Sequence, residues 1–235
     1  MRLLLTHPYH LALDPREDAL SKPYPPVGSL QAAAVAQQAG AEVVFYDPMF
    51  AADESSFAEV LAAHDVDAVA IIADDHSVQI KQCLARIRTA ALAMAKMAAD
   101  RGLPVLISGP DVSDHPEVFL SGGATSAAVG EVLGVIPAWV RGESDIVGIH
   151  GKQGAGGRRE VLRDLDALPD PAWSLCDLSP YAERWRKHHG VWELNIWTAR
   201  GCPYRCNWCA KPIWGRSYNV RAPERVAAEL HRLMA

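Results

Sequence analysis

Three cysteines lie close together near the end of the sequence, at Cys202, Cys206 and Cys209. Their spacing, C-x-x-x-C-x-x-C, places three thiolates on one short loop, and thiolates ligate both iron–sulfur clusters and structural zinc. Structural zinc motifs usually come as two separated pairs of ligands, whereas this stretch holds one triplet and no histidine. Three ligands suit a [4Fe–4S] cluster with one open iron, and an open metal position is what catalysis requires. The spacing therefore favours a catalytic cluster.

A zinc site and cysteines that bind no metal are the alternatives. His231, on a following helix, is a weak fourth candidate for zinc. The chain has five cysteines, and an odd number with three in one stretch argues for a metal rather than disulfides in a reducing compartment. The other two, Cys83 in a predicted helix and Cys176 in a predicted connector, are not expected to be ligands.

A strand and a helix must hold the cysteine loop in place. Residues 193–200, ELNIWTAR, are predicted to form a strand that leads directly into the loop. Residues 223–234 are predicted to form a helix, because Pro223 suits its first position and Glu224 suits its positive N-terminal end.

The first 145 residues alternate short apolar strands with helical stretches. The predicted strands are 2–6, 42–46, 68–73, 104–108 and 126–129, and the predicted helices are 28–40, 54–64, 79–100, 116–120 and 132–140. Strands that are apolar on both faces and separated by helices indicate a parallel sheet covered on two sides, a doubly wound α/β domain. Ligands of such sheets bind at the carboxyl ends of the strands. The candidate loops are 7–28, 74–77, 109–115 and 130–131.

Residues 146–190 differ in character from the segments on either side. They begin with a Gly-rich basic stretch, GIHGKQGAGGRRE, which predicts an exposed hairpin or flexible loop. The rest contains several prolines and no clear period, so we interpret it as an ordered connector, with Trp173 as its packing anchor.

The composition is that of an ordinary globular protein, with 49% apolar and 22% charged residues, which excludes disorder. The net charge of −5 is uneven, because residues 1–150 carry −10 and residues 151–235 carry +5. The sequence contains no dense basic stripe of the kind that is typical of nucleic-acid binding. It also contains no apolar run that approaches the ~20 residues of a membrane span. We expect a cytoplasmic protein.

The segment TARGCPYRCNWC, directly after a predicted strand, resembles the cluster motif of the radical S-adenosylmethionine (SAM) superfamily. The resemblance implies that Cys202, Cys206 and Cys209 hold a [4Fe–4S] cluster whose open iron chelates SAM. It also implies that Trp208, just before the third cysteine, lies near the SAM adenine. Tyr204 is a second candidate SAM contact in the same loop.

The longer segment, residues 200–230, is similar to the cobalamin-dependent branch of that superfamily, in which a Rossmann-like cobalamin-binding domain precedes the radical SAM barrel. The resemblance implies a cobalamin domain over 1–145, a linker over 146–190 and the start of a radical SAM domain over 191–235. The implied cobalamin contacts are Pro25, Gly28, Ser108, Gly109, Asp111, Gly130 and Glu131. Small residues at strand ends suit a bulky ligand because they let it approach the backbone.

Many cobalamin domains supply an axial histidine from a D-x-H-x-x-G motif after the first strand, and that motif is absent here. A related stretch at 74–79 contains His76 but follows the third strand and ends in Gln79. We therefore expect cobalamin to bind with no protein histidine on cobalt.

The implied function is radical methylation of an unactivated carbon, or a related radical cyclisation, with a small-molecule substrate and an electron donor such as flavodoxin or ferredoxin. A full (β/α) barrel runs roughly 200 residues or more, so residues 191–235 would supply only its first βα unit, and we expect an N-terminal fragment. The alternatives are a non-catalytic cobalamin- or metal-binding module, and a radical SAM enzyme without cobalamin, such as a methylthiotransferase.

Overall fold

The computed structural model describes residues 1–73, 77–209 and 213–234, and within α4 the side chains of 77–84 lie outside the description. The strands are β1 Arg2–Thr6, β2 Glu42–Tyr46, β3 Ala68–Ile72, β4 Val105–Ser108, β5 Ser126–Ala128, β6 Ile146–Val147, β7 Ile149–Gly151, β8 Gly154–Gly156, β9 Ala199–Gly201 and β10 Tyr218–Val220. The α-helices are α1 Pro15–Leu20, α2 Val27–Gln38, α3 Ser56–Ala63, α4 Ser77–Ala99, α5 Pro110–Asp114, α6 Pro116–Ser121, α7 Ile136–Val140, α8 Ser179–His189 and α9 Pro223–Met234. Short 3₁₀ turns cover Leu11–Leu13, Val132–Gly134 and Trp173–Leu175.

The main sheet has the order β2-β1-β3-β4-β5-β7. Its first five strands run parallel, which confirms the predicted α/β class with a parallel sheet. The sixth, β7, pairs antiparallel with β5 and comes from the Gly-rich stretch predicted as a hairpin or loop. The chain order reverses between β1 and β3, and the carboxyl edge at such a reversal is where doubly wound sheets bind ligands.

Both faces of the sheet are covered, and nearly all the side chains of its central strands β1, β3 and β4 are buried. Leu3 and Leu5 of β1 join one core with α2 and α7, whereas Leu4 joins a second core with α3, α4 and α6. The helix α2 approaches closely because its inner positions are alanines, among them Ala32, Ala33 and Ala36. The two cores hold the carboxyl ends of the strands in a fixed array.

The connector contains a helix, α8, that the sequence analysis does not predict. Its side chains Tyr181 and Trp185, four residues apart, are both buried at 1% exposure. Gly190 ends the helix in the left-handed conformation with φ +72°. Prolines before α8 and its charged residues obscure the period, although the spacing of the two aromatic residues indicates it.

The predicted strand over 193–200 is wrong for most of its length. Only Ala199–Gly201 pairs, as β9, and its partner is the antiparallel strand β10, with Arg200 opposite Asn219. The residues before β9 form no strand, and the Asn195 amide donates instead to the Pro25 carbonyl, in the loop before α2, at 3.3 Å. The predicted helix over 223–234 is confirmed as α9. The cysteine loop therefore joins two antiparallel strands, and β10 stands between it and the helix.

Candidate functional site

The cysteine loop begins at a backbone position that only glycine can occupy. Gly201 has φ +83°, and a Cβ there would lie 1.9 Å from the Ser217 carbonyl oxygen. This close approach lets the amide of Cys202 donate to the same oxygen at 2.9 Å. Further along, the amide of Cys209 donates to the carbonyl of Cys206 at 3.3 Å. Local backbone bonds thus close the loop at its base and at its tip.

The loop presents its side chains outward. Cys206 is exposed, Cys202 and Cys209 are half-buried, and the rings of Tyr204 and Trp208 are 71% and 84% exposed. Within the described residues, no group of three or more His, Cys, Asp or Glu side chains is gathered closely enough to hold a metal ion. The structure therefore places the three cysteines on one accessible loop without drawing their thiols into a ligand set.

A buried polar cluster ties the start of this loop to the end of β5. Arg200, immediately before Gly201, donates to the Gln31 side chain at 2.6 Å and to Glu131 at 3.3 Å. Trp214, beyond the loop, donates its indole N–H to the other oxygen of Glu131 at 2.8 Å. Burial raises the pKa of the Glu131 carboxyl, and the Arg200 charge and the Trp214 hydrogen bond oppose that rise. Glu131, predicted to contact cobalamin, here joins the sheet to both flanks of the cysteine loop.

A second polar cluster ties β10 and α9 to the connector. Arg221 pairs with Glu229, which is completely buried, and with Asp170 at 3.0 Å. The indole of Trp173 donates to the other oxygen of Glu229 at 2.8 Å. The sequence predicts Trp173 as a packing anchor of the connector. The hydrogen bond from its indole N–H to Glu229 also fixes the connector to α9.

The end of β4 supplies a small polar cradle at the carboxyl edge of the sheet. Ser108 is 1% exposed, and its Oγ has no hydrogen-bond partner among the described residues. Gly109 follows with φ +144°, and a Cβ there would lie 3.0 Å from both the Cβ and the carbonyl oxygen of Ala73. An unpartnered buried hydroxyl beside a glycine fits a ligand that brings its own polar atom.

The remaining predicted cobalamin contacts lie at the same edge in different settings. The Asp111 carboxylate is held by both arms of the Arg88 guanidinium. Gly130 has φ +93° and donates its amide to Ser113 at 3.0 Å. Pro25 accepts from Asn195, and Gly28 is buried within α2 rather than in a loop. These positions share the carboxyl edge, and their cofactor contacts stay a prediction.

Some predicted positions lie outside the described residues. They include Asp74, Asp75 and His76 of the D-x-H stretch, and the side chain of Cys83. Within the described residues, His10 in the loop after β1 is a buried imidazole that the sequence analysis did not select. Burial lowers the pKa of His10, and its Nε2 has no hydrogen-bond partner there.

A half-buried carboxylate at the end of β2, Asp47, is a further feature that the sequence pattern does not predict. Asp47 accepts hydrogen bonds from Tyr181 of α8 at 2.6 Å and from the Met49 amide at 3.0 Å, and lies 2.9 Å from the His7 imidazole. Burial raises the pKa of Asp47, but His7 and these hydrogen bonds outweigh it and the net shift is downward. No local pattern reveals this cluster, because its members come from three distant segments.

No protein-family model matches the chain. Over 147 residues it is 26% identical to the hopanoid C-2 methylase of Rhodopseudomonas palustris, a match that covers 60% of this chain and 24% of that protein. Over 74 residues it is 33% identical to the anaerobic magnesium-protoporphyrin IX monomethyl ester cyclase of Cereibacter sphaeroides, covering 32% and 11%. Over 189 residues it is 26% identical to an uncharacterized methyltransferase of Pyrococcus horikoshii, covering 75% and 38%. The chain thus matches less than half the length of each relative.

Two solved structures share the fold. The cobalamin-dependent SAM radical enzyme OxsB, with aqua-cobalamin bound, superposes with a TM-score of 0.67 at 15% identity, covering 99% of this chain and 31% of that one. The radical SAM methyltransferase TsrM from Kitasatospora setae, with tryptophan and a SAM analogue bound, gives 0.54 at 18% identity, covering 98% and 45%. With the sequence relatives, these matches confirm the predicted resemblance to cobalamin-dependent radical SAM enzymes.

No helix among the described residues is both long enough and apolar enough to span a bilayer.

Proposed function

We propose that this chain forms the cobalamin domain (1–145), the linker (146–190) and the beginning of the radical SAM domain (191–235) of a cobalamin-dependent radical SAM enzyme. The carrying observation is the buried tie between Arg200 and Glu131. It fixes the base of a three-cysteine loop against the carboxyl edge of a doubly wound sheet. Two cofactors that act together need such neighbouring positions, one on the loop and one at the edge.

The donor set on the loop fits a [4Fe–4S] cluster. Cys202, Cys206 and Cys209 offer three soft thiolate ligands, and such ligands select iron–sulfur clusters, zinc and copper(I). The side chain of Cys206 is exposed and the other two are half-buried, so an incoming cluster has access. The paired strands β9 and β10 would hold the loop while the cluster assembles, and the exposed Trp208 and Tyr204 would cover bound SAM.

The carboxyl edge fits a large ligand. The Ser108 hydroxyl, which has no hydrogen-bond partner among the described residues, would donate to or accept from it, and Gly109 leaves no Cβ in the way. Cobalamin bound there would supply methyl-carrying cobalt chemistry, and the chain's own part would be to orient it and exclude water. The Arg200–Glu131–Trp214 cluster would hold the loop at a constant height above that edge.

The proposed reaction class is radical methylation of an unactivated carbon or a related cyclisation, on a small-molecule substrate, with a low-potential protein as electron donor. The names of the sequence relatives, a C-2 methylase and a cyclase, support both forms.

Anaerobic reconstitution with iron, sulfide and hydroxocobalamin tests the proposal. We expect about four irons per chain, the content of a [4Fe–4S] cluster, and a corrin absorption spectrum after desalting. Cys206→Ala should lose the iron and keep the corrin, whereas the control Cys176→Ala should keep both. Uptake of stoichiometric zinc without iron would disprove the cluster, and iron without corrin would disprove the cobalamin site.

A further inference from the structure

A groove rich in arginine runs beside the cysteine loop. Residues 158–161 and Arg163 of the connector form one wall, and residues 213–217, between the loop and β10, form the other. The groove is open to solvent on one side and offers a ligand about 490 Å³ of space. Ser217 in its wall accepts the hydrogen bond from the Cys202 amide, so the groove adjoins the base of the loop.

Three of the arginines that line this groove have no acidic partner among the described residues. Arg159, Arg163 and Arg216 pair with no carboxylate among the described residues, and Glu160 is the single acid in the lining. Elsewhere the buried or half-buried arginines Arg88, Arg200 and Arg221 each hold a carboxylate. The chain carries a net charge of −5, so acidic residues are plentiful, yet these arginines pair with no described carboxylate. Clustered cations repel one another unless an anion lies between them, so the groove favours an anionic ligand.

The groove is held in place before any ligand binds. The amide of Arg159 donates to the Val129 carbonyl at 2.8 Å, beside the bridge between Arg159 and Gly130. The Arg159 side chain packs over Gly134, where a Cβ would lie 2.8 Å from its Nε. On the opposite wall, Glu131 holds the Trp214 indole. A site that is ordered beforehand loses less entropy on binding.

We propose that this groove binds the phosphate group of a small-molecule ligand. Guanidinium groups present parallel N–H donors that match phosphate oxygens, and charge-assisted bonds of this kind are strong. The concave shape and the indole wall favour a small molecule, whereas a protein partner would more often meet a flatter surface. The site stands apart from the proposed cluster, since its arginines ligate no iron.

Calorimetric titration of the full 235-residue chain with inorganic pyrophosphate at low salt tests the site. The double variant Arg159→Gln/Arg163→Gln should bind pyrophosphate at least about tenfold more weakly, because two charge-assisted bonds are lost. The matched control is Arg186→Gln/Lys187→Gln, which removes the same charge from exposed positions on α8. Iron content after reconstitution should be the same in both variants, which separates this site from the proposed cluster.

A second arm identifies the source of the phosphate. If hydroxocobalamin binding weakens in the groove variant alone, the ligand is the phosphodiester of the corrinoid; if it does not, the ligand is a separate phosphorylated molecule. No pyrophosphate binding at millimolar concentration, or equal weakening in both variants, would overturn the proposal. So would arginine-dependent binding of an acidic flavodoxin by a chain that does not bind pyrophosphate, because the groove would then be a protein-docking surface.

Discussion

The main sheet and the cysteine-loop unit, residues 199–234, are stabilised by different forces. The sheet is enclosed by two apolar cores, and β1, β3 and β4 carry side chains that are almost wholly buried. The loop unit keeps Tyr218, Val220 and Leu230 at least 41% exposed, and it is anchored by buried ion pairs of Arg200 and Arg221. Apolar burial fixes which elements pack together but tolerates small shifts between them. A buried ion pair fixes the position of two side chains more closely, which suits a loop proposed to hold a cofactor.

The cysteines show the same contrast. Cys176 is buried in the connector, 3.5 Å from the Asp47 carboxylate, and burial together with that negative charge raises the pKa of its thiol. A thiol in that setting stays protonated and inert, since the thiolate is the form that binds metal. Cys206, by contrast, is exposed on its loop. Accessibility therefore separates the expected ligands from the structural cysteine.

Breaking the charged anchor gives the largest expected effect. Arg221→Ala leaves the fully buried Glu229 without its cation, which should cost about 3–5 kcal/mol of stability in the loop unit. Hydrogen exchange should show faster opening of α9 while β1 and β3 stay protected. Arg141→Ala, which removes a half-exposed pair with Glu143, should cost no more than about 1 kcal/mol. Equal protection of α9 in both variants would show that packing, not charge, holds this unit.

Truncating the sheet core tests the other side of the comparison. Leu4→Ala creates a cavity in the core that β1 shares with α3 and α4, and should lower the free energy of unfolding by about 2–5 kcal/mol. Urea denaturation followed by circular dichroism measures it. Val220→Ala, at a side chain 58% exposed, should change stability by less than about 0.5 kcal/mol. If the two losses were similar, β10 would be packed as tightly as the sheet.

Alanine substitutions at two glycines with positive φ distinguish the cost of the backbone conformation from the cost of a steric clash. Gly201→Ala forces a Cβ against the Ser217 carbonyl, so β9 and β10 should part and iron incorporation should fall sharply. Gly215 has φ +54° and open space around the position of a Cβ. Gly215→Ala should therefore lower the free energy of unfolding only by the cost of a left-handed backbone, about 1–2 kcal/mol, and leave iron uptake intact. Iron analysis after reconstitution decides, and full incorporation by Gly201→Ala would contradict the tight base of the loop.

The smallest expected effect is the contribution of Asp47 to the loss of stability at low pH. Because the folded-state pKa of Asp47 lies below its ordinary value of about 3.9, its carboxylate stabilises the protein above that pH, and the contribution disappears as pH falls through the lowered pKa. Between pH 5 and 2 the wild type should lose stability more steeply than Asp47→Asn. Asp100→Asn, which removes a carboxylate from an exposed pair with Lys96, is the matched control. Parallel curves for wild type and Asp47→Asn would remove Asp47 from the acid response.

Local patterns were enough for the five parallel strands and for α9. A run such as AVAII favours burial on both faces, and Pro223 and Glu224 suit the first turn of a helix. The helix α8 was missed because its two buried aromatic residues stand among charged ones. The strand over 193–200 was overpredicted because alternation of side chains indicates extended backbone but does not supply a pairing partner. The Gly-rich stretch that contains β7 predicts only an exposed hairpin or flexible loop, because nothing in it indicates pairing with β5.

Residue patterns alone indicated the class of fold and the proposed chemistry: three cysteines at a cluster spacing, strands apolar enough for a parallel sheet, and a resemblance that joins the two. The folded structure was needed to find that Glu131 pairs with Arg200 and Trp214, and that Asp47 contacts His7 and Tyr181. It was also needed to find that three arginines with no carboxylate partner among the described residues line one groove. The difference comes from the distance along the chain over which each kind of signal acts. Spacing and periodicity act over a few residues, whereas a buried charge is satisfied by any partner that the fold brings within about 3 Å.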